Sequence, residues 1–262
     1  MTFETLDFEQ HGNVAVIRMN RPENANALDR KMGQELMDVS IECDENPEIR
    51  AVIFTGAGRF YSAGGDLPSF AAAGDDMPKL LKELTIYLHG ALSRFARMDA
   101  PVILAINGIA AGAGFSMACC GDMSIASEDA KFTMAYTNAG LVTDGSSTYY
   151  VARHIGMRRT QELMLTNRTL TAAEALDWGL VNKVVPGDQL MDEAMDLAQK
   201  MAAGPTKSYG MIKNLLLNTF SDTLESQMEL EARGIAAAAK TEDGKAGIQA
   251  FLKKQKPEFG GQ

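Results

Sequence analysis

Two short runs of small residues carry the strongest chemical signal in the sequence. Ser62-Ala-Gly-Gly-Asp66 closes a segment that begins at Ile53, and Ala111-Gly-Ala-Gly114 closes one that begins at Ile103. Each follows a short apolar run and is expected to deliver a strand into a small-residue turn that starts a helix. Helix starts leave backbone N–H groups without intrahelical partners, and these favour developing negative charge. Two such starts facing each other would make an oxyanion hole. Either run alone reads first as a tight turn after a strand; both together, in this order, point to chemistry.

A carboxylate is available at Asp144, in Gly140-Leu-Val-Thr-Asp-Gly-Ser-Ser147. It could serve as a base, or simply cap the helix that follows. His89, in Ile86-Tyr-Leu-His89, lies on a helical pattern ahead of Val102, where a histidine is often just packed or solvated. With three histidines in the whole chain, no metal site is expected. Other motifs fail. Met117 stands where a dinucleotide fingerprint needs its third glycine, and neither a phosphate loop ending in Gly-Lys nor a His-Glu-x-x-His is present. The methionines from Met191 to Met201 read as core packing.

The elements that must position these groups follow from periodicity. Val14-Ala-Val-Ile-Arg-Met19, Ala51-Val-Ile-Phe-Thr55 and Val102-Ile-Leu-Ala-Ile106 are apolar runs closed by turn residues, hence strands. Between the first two, residues 29–44 place Met32, Leu36, Val39 and Cys43 on one helical face. Met123-Ser-Ile-Ala126 and Lys131-Phe-Thr-Met134 read as further strands. After Asp144 the chain turns mostly helical. Thr171-Ala-Ala-Glu174 is a capping-box start, Gly179 stops that helix, and Val181 to Val185 is a last strand. Helical patterns then fill 189–203, 205–219 and 221–240. The fold class is therefore α/β, with a core over residues 1–200 and a helical C-terminal segment over 201–262.

Composition bounds the function. A hydrophobic content of 46% and a charged content of 23% describe an ordinary globular chain, which excludes disordered and fibrous classes. The net charge of -9 would repel a polyphosphate backbone, so no nucleic-acid partner is expected. Cys43, Cys119 and Cys120 are odd in number and sit in apolar surroundings, which suits reduced thiols and a cytoplasmic location. The acidic stretch Met1 to Gln10 lacks the order of a secretory signal and the Arg-rich character of a transit peptide. The longest apolar region, Val102 to Cys120, is broken by Asn107, Gly108, Gly112 and Gly114, so no membrane span is expected.

Several ordered motifs resemble those of the crotonase superfamily, the acyl-CoA enzymes of the enoyl-CoA hydratase/isomerase type. They are Asn26-Ala-Leu28, Phe60-Tyr-Ser-Ala-Gly-Gly-Asp-Leu67, Asn107-Gly-Ile-Ala-Ala-Gly-Ala-Gly114 with Asp122, Ala172-Ala-Glu-Ala-Leu-Asp-Trp-Gly-Leu-Val181 and Phe251-Leu-Lys-Lys254. The similarity runs over nearly the whole chain. It implies a spiral of β-β-α turns and a C-terminal helical region used in trimerisation, giving a homotrimer or a dimer of trimers. It also implies oxyanion donors at the Gly65 and Ala113 amides. Ala27, Ala63, Asp66 and Leu67 would line the coenzyme A path, and Phe251 and Lys254 would sit near coenzyme A, from a neighbouring subunit. Coenzyme A enters as part of the acyl-CoA substrate, and no separate cofactor is implied.

The departures from the family pattern narrow the reaction. Family hydratases use two glutamates to hold and activate water, and this chain has Ser116 and Tyr136 at those positions, neither able to act as a carboxylate base. Asp144 stands where two branches carry a catalytic aspartate: isomerases resembling the epoxyphenylacetyl-CoA isomerase of phenylacetate breakdown, and 4-chlorobenzoyl-CoA dehalogenases. His89 matches the water-activating histidine of the dehalogenases. Yet Leu88 and Gly65 stand where that branch has large rings, leaving Tyr136 as one wall of its aromatic cage. The stretch from Thr223-Leu-Glu-Ser-Gln-Met-Glu-Leu-Glu231 to Phe251, with Ala110-Ala-Gly-Ala-Gly114, looks more like the isomerases. The expected activity is an Asp144-dependent 3-enoyl-CoA to 2-enoyl-CoA isomerisation. Alternatives are a 2-enoyl-CoA hydratase, a 4-halobenzoyl-CoA dehalogenase, and a non-catalytic acyl-CoA-binding or RNA-associated member.

Overall fold

The computed structural model describes residues 2–262, so Met1, the first residue of the acidic N-terminal stretch, lies outside the described residues. The chain opens with an antiparallel pair, β1 (Leu6–His11) and β2 (Val14–Met19), and then α1 (Arg30–Glu45). All four residues expected on the inner face of α1 are buried, and the Asp29 carboxylate caps its start by accepting from the Met32 amide.

Three turns of one pattern follow, each a long strand, a short strand and a helix. The first is β3 (Ala51–Gly56), β4 (Phe60–Ser62), and the helices α2 (Leu67–Ala72) and α3 (Met77–Arg97). The second is β5 (Val102–Ile106), β6 (Ile109–Ala111) and α4 (Ala113–Met117). The third is β7 (Met123–Ser127), β8 (Lys131–Thr133) and α5 (Ser147–Thr166), which is broken at Gly156. Then come β9 (Leu170–Thr171), α6 (Ala172–Trp178) and β10 (Lys183–Val185). Long strands join one sheet in the order β1-β2-β3-β5-β7-β10, and short strands a second in the order β4-β6-β8-β9. This is the spiral of β-β-α turns that the resemblance implies.

The long strands are buried on both faces, as parallel strands between layers must be. Val52 and Phe54 of β3 and Val102, Leu104 and Ile106 of β5 point into the main core, with α1 and α3. Ala51, Ile53, Ile103 and Ala105 point the other way, against α7 (Leu190–Ala202). That helix meets them with Leu190, Ala194, Ala198 and Ala202, one small stripe at four-residue spacing.

The C-terminal region is α8 (Thr206–Asn218), α9 (Leu224–Ala238) and α10 (Glu242–Leu252). Its anchor is Lys213, buried in α8, whose ammonium lies 2.9 Å from the Asp122 carboxylate and donates to the Phe95 and Ala100 carbonyls. The expected capping box at Thr171 and Glu174 is present, and Gly179 ends α6 in the left-handed conformation. The strand expected over 181–185 is shorter, because Asn182 donates its amide to the Ser124 carbonyl from an irregular turn.

Candidate active site

Both glycine-rich runs reach one cavity of about 270 Å³, and Gly65 and Ala113 are both in its wall. One expectation is corrected here. Ala113 opens α4 as expected, with Gly112 as its N-cap. Gly65, however, does not start a helix: α2 begins at Leu67 and is capped by Asp66. The Gly65 amide is free for a different reason. Leu28 bridges across to this segment by donating to the Gly64 carbonyl over 2.6 Å and accepting from the Asp66 amide over 3.0 Å. The alternation of a parallel bridge passes over Gly65. Among the described residues, neither the Gly65 nor the Ala113 amide has a hydrogen-bond partner.

The two turns touch because glycine leaves room. Gly64 has φ +94, and a Cβ there would lie 2.7 Å from the Ala111 carbonyl oxygen and 2.9 Å from the Ala113 nitrogen. A cradle behind the first turn fixes it in place. Buried Asn26 donates through Nδ2 to the Ala57 and Phe60 carbonyls, and the Ser62 hydroxyl donates to the Asn26 carbonyl. Arg21 ties three strands of chain together, donating to the Ala27 carbonyl over 2.6 Å and lying 3.1 Å from both the Asp29 and Asp66 carboxylates. Sequence reading missed Arg21, whose partners lie up to 45 positions away.

Asp144 lines the same cavity. Its backbone departs sharply from a helix entry, because Gly145 and Ser146 are both left-handed, with φ of +60 and +65. Asp144 therefore does not cap α5; its carboxylate faces the cavity instead. The Tyr136 hydroxyl donates to Asp144 Oδ1 over 2.6 Å, and Ser116 Oγ lies 2.9 Å from both the Tyr136 hydroxyl and the Asp144 carbonyl oxygen. Burial, then the Asp144 charge, push the Tyr136 hydroxyl well above its ordinary range, so it stays protonated and can only donate in this pair.

His89 comes to the same aspartate from α3, with Nε2 3.7 Å from Asp144 Oδ2 and accepting from the Gly145 amide over 3.2 Å. It is not in the cavity wall. The rest of that wall is largely aliphatic, with Leu67, Leu81, Leu84, Leu88, Leu141 and Val142. Phe70 also lines it and packs so closely on Gly65 that a Cβ there would come within 2.5 Å of the ring.

Of the residues expected along a coenzyme A path, Ala63 and Leu67 line the cavity, whereas Ala27 and Asp66 do not. The Asp66 carboxylate is already committed to Arg21 and to the Ser69 amide. Phe251 is 83% exposed at the end of α10, and neither it nor Lys254 belongs to this cavity in the chain. All three cysteines are buried and free, and burial pushes the Cys43 and Cys120 thiols up to about 12, so none is a ready nucleophile. Among the described residues, no group of three or more His, Cys, Asp or Glu could hold a metal ion, and no helix is long and apolar enough to cross a membrane.

Residues 9–262 match the family model described as enoyl-CoA hydratase/isomerase. The chain is 35% identical to a 1,2-epoxyphenylacetyl-CoA isomerase of Escherichia coli, covering 95% of each protein. It is 32% identical to a 4-chlorobenzoyl coenzyme A dehalogenase of Arthrobacter, covering 89% of this chain and 85% of that one. Among solved structures, an enoyl-CoA hydratase from Polaromonas superposes with a TM-score of 0.92 at 31% identity, over 97% of this chain and 99% of that one. One from Bacillus anthracis gives 0.92 at 29% identity, over 99% and 100%. With this fold, two free amides in one cavity wall and these relatives, the chain belongs to the enoyl-CoA hydratase/isomerase family of the crotonase superfamily and is an enzyme of that family.

Proposed function

We propose that this enzyme is an enoyl-CoA isomerase that moves a double bond from the 3-position to the 2-position of an acyl-CoA thioester, with Asp144 as its only base. The observation that carries this reading is that Asp144, its carboxylate held by the Tyr136 hydroxyl and its main-chain carbonyl by Ser116, lines the same cavity as Gly65 and Ala113, whose amides are free. The thioester oxygen accepts from those two amides, so charge that develops on it as a proton leaves C2 meets donors already in place; one such donor is worth about 3 kcal/mol in the barrier. Asp144 takes the C2 proton, leaving a dienolate, and returns a proton at C4. One base serves both steps.

Leu81, Leu84, Leu88 and Leu141 favour an apolar acyl group, and exclude water from the enolate. Ala63 and Leu67 guide the thioester arm, with Ala27 and Asp66 shaping that path from behind through the Arg21 tie. Phe251 and Lys254 contact coenzyme A from a neighbouring subunit. The homotrimer, or dimer of trimers, forms through the C-terminal helices, whose exposed Leu216, Leu224, Met228 and Ile235, with Phe220 in the turn between α8 and α9, need cover. The buried reduced thiols suit a cytoplasmic location.

A second reading, a 4-halobenzoyl-CoA dehalogenase with Asp144 as nucleophile, is favoured by the nearness of His89 to Asp144. The aliphatic wall and the lack of space for a ring at Gly65 weigh against it. Purified enzyme is to be tested with 3-enoyl-CoA, 2-enoyl-CoA and 4-halobenzoyl-CoA, each with wild type and Asp144→Ala. Conversion of the 3-enoyl thioester that vanishes in the variant is expected. Inert 3-enoyl-CoA with water addition to 2-enoyl-CoA, or with halide release, would overturn the isomerase reading.

A further inference from the structure

Asp144 and His89 belong to two different cavities. Asp144 lines the aliphatic one of about 270 Å³; His89 lines a second, of about 550 Å³, whose wall includes Arg97, Ser146, Tyr149 and Asn218. Neither residue lines the other's cavity. The second space also has Leu92, Ala96 and Leu217 in its wall, but it is large enough to hold water, and His89, Arg97, Ser146 and Asn218 offer that water polar partners. The 3.7 Å approach of His89 Nε2 to Asp144 Oδ2 thus joins the interior of one to the edge of the other.

The hydrogen bonds leave one direction open for a proton. Oδ1 of Asp144 is held by the Tyr136 hydroxyl, so Oδ2 is the oxygen available to carry one. Because the Gly145 amide donates to His89 Nε2, that nitrogen presents a lone pair and the neutral ring carries its proton on Nδ1. That lone pair is held by the Gly145 amide at rest, and it is the one that can take a proton from Asp144 once the ring gives up that amide. The imidazole is 49% exposed, which leaves it free to turn outward.

We propose that His89 is a positioning residue acting through Asp144, a relay by which the proton taken from the substrate exchanges with solvent through the second cavity. The inference rests on Asp144 being the base. When the C2–H bond breaks, its electron pair enters the dienolate and its proton goes to Oδ2. A small rotation of the ring breaks its bond from the Gly145 amide, frees the Nε2 lone pair and closes the gap to Oδ2, directly or through one bridging water. Proton transfer then gives back the carboxylate and forms an imidazolium. The ring turns into the second cavity, releases the Nε2 proton to water and returns neutral with its proton on Nδ1. The reverse path brings a solvent proton to Asp144 for delivery at C4, and nothing is oxidised or reduced.

The test is isomerisation in D2O, with deuterium in the product read by mass spectrometry per turnover, for wild type and for His89→Gln. Glutamine can still accept from the Gly145 amide but cannot carry a proton. Deuterium at C4 in wild type, and at least about fivefold less per turnover in the variant while isomerisation persists, is the expected result. Equal incorporation in the two, or none in wild type, would overturn the relay. A structural role alone would change the rate without changing this ratio. Should His89→Gln fold poorly, His89→Ala with added imidazole replaces it: restored incorporation supports the relay, and unrestored incorporation overturns it. Exchange of the C2 protons of a saturated acyl-CoA in D2O separates the two readings. If wild type isomerises nothing, the isomerase reading fails. The relay then still stands if Asp144→Asn abolishes this exchange and His89→Gln slows it about fivefold, and falls if His89→Gln leaves it unchanged.

Discussion

The Tyr136 hydroxyl and the Asp144 carboxylate are joined by a 2.6 Å hydrogen bond whose direction is fixed, since burial and the neighbouring charge keep the phenol protonated. The tyrosine holds Oδ1, and so aims Oδ2. Tyr136→Phe is expected to lower kcat about tenfold to a hundredfold with little change in KM, because an orienting bond is lost and no substrate contact need change. Asp144→Asn should lower kcat by about a thousandfold or more, and the double variant should be no worse than Asp144→Asn. Steady-state kinetics on the four proteins checks this; additive losses would show that Tyr136 acts independently of Asp144.

The closeness of the two glycine turns yields a second prediction. A methyl group at position 64 meets the Ala111 carbonyl at 2.7 Å, in a conformation that L side chains rarely adopt. Gly64→Ala should push the Gly65 and Ala113 amides apart and lower kcat/KM about a hundredfold, near the effect of losing one oxyanion donor. Gly12→Ala is the control: it has φ +62 but, among the described residues, nothing within 4 Å of the new methyl group. It should cost about 1 kcal/mol of stability and leave activity unchanged.

What the sequence made legible tracks how strongly burial imprints a pattern. Val102–Ile106 could be read because both its faces are covered, which demands five apolar residues in a row. β1 could not, since only Leu6 of its six residues is buried and it joins the sheet as an edge strand. The three-residue strands β4 and β6 are too short to show any period. Gly65 reads from sequence as an oxyanion donor at a helix start; its amide is left free instead by the Leu28 bridge, a contact across 37 positions that leaves no local pattern. Asp144 could equally have been a cap; the left-handed pair Gly145 and Ser146 turns it inward, and Ser146 gives no hint of that conformation.

Arg21 supplies a third test. Its guanidinium spans the Ala27 carbonyl and the Asp29 and Asp66 carboxylates, and so fixes the loop beside the proposed coenzyme A path. Arg21→Ala leaves Asp66, 5% exposed, without its cation. KM for the thioester should rise about tenfold, with a fall of about 3 kcal/mol in stability. Arg21→Lys should not restore KM, because a single ammonium cannot reach three acceptors as a planar fork does.

Tyr61 offers a stabilising change. Its ring is fully buried and packs edge-on against Phe54, yet its hydroxyl has no hydrogen-bond partner among the described residues. A buried donor left unpaired costs about 1–3 kcal/mol. Tyr61→Phe keeps the ring and removes that cost, so chemical denaturation should show a gain of about 1 kcal/mol with unchanged activity. A loss of similar size would mean that the hydroxyl has a partner, such as a buried water.

The acid limb of stability should be steepened by Glu35. Burial alone would raise its carboxyl, but hydrogen bonds from the Thr5 hydroxyl and the Glu4 and Thr5 amides outweigh that and hold it below the usual 4.5. The side chain thereby pins Glu4 and Thr5, just before β1, to α1. A folded-state value below the unfolded one means that the unfolded chain binds the extra proton. The contribution is therefore fully present above the unfolded value, near 4.5, and is lost as pH falls through the folded one. Glu35→Gln cannot ionise, and it sets an amide N–H2 against groups that already donate. It should cost about 1–3 kcal/mol at neutral pH. Its Tm should also fall less than that of wild type on acidification below about pH 4.5, so that the two curves converge. Parallel curves would mean that the Glu35 carboxyl titrates alike in the folded and unfolded chain.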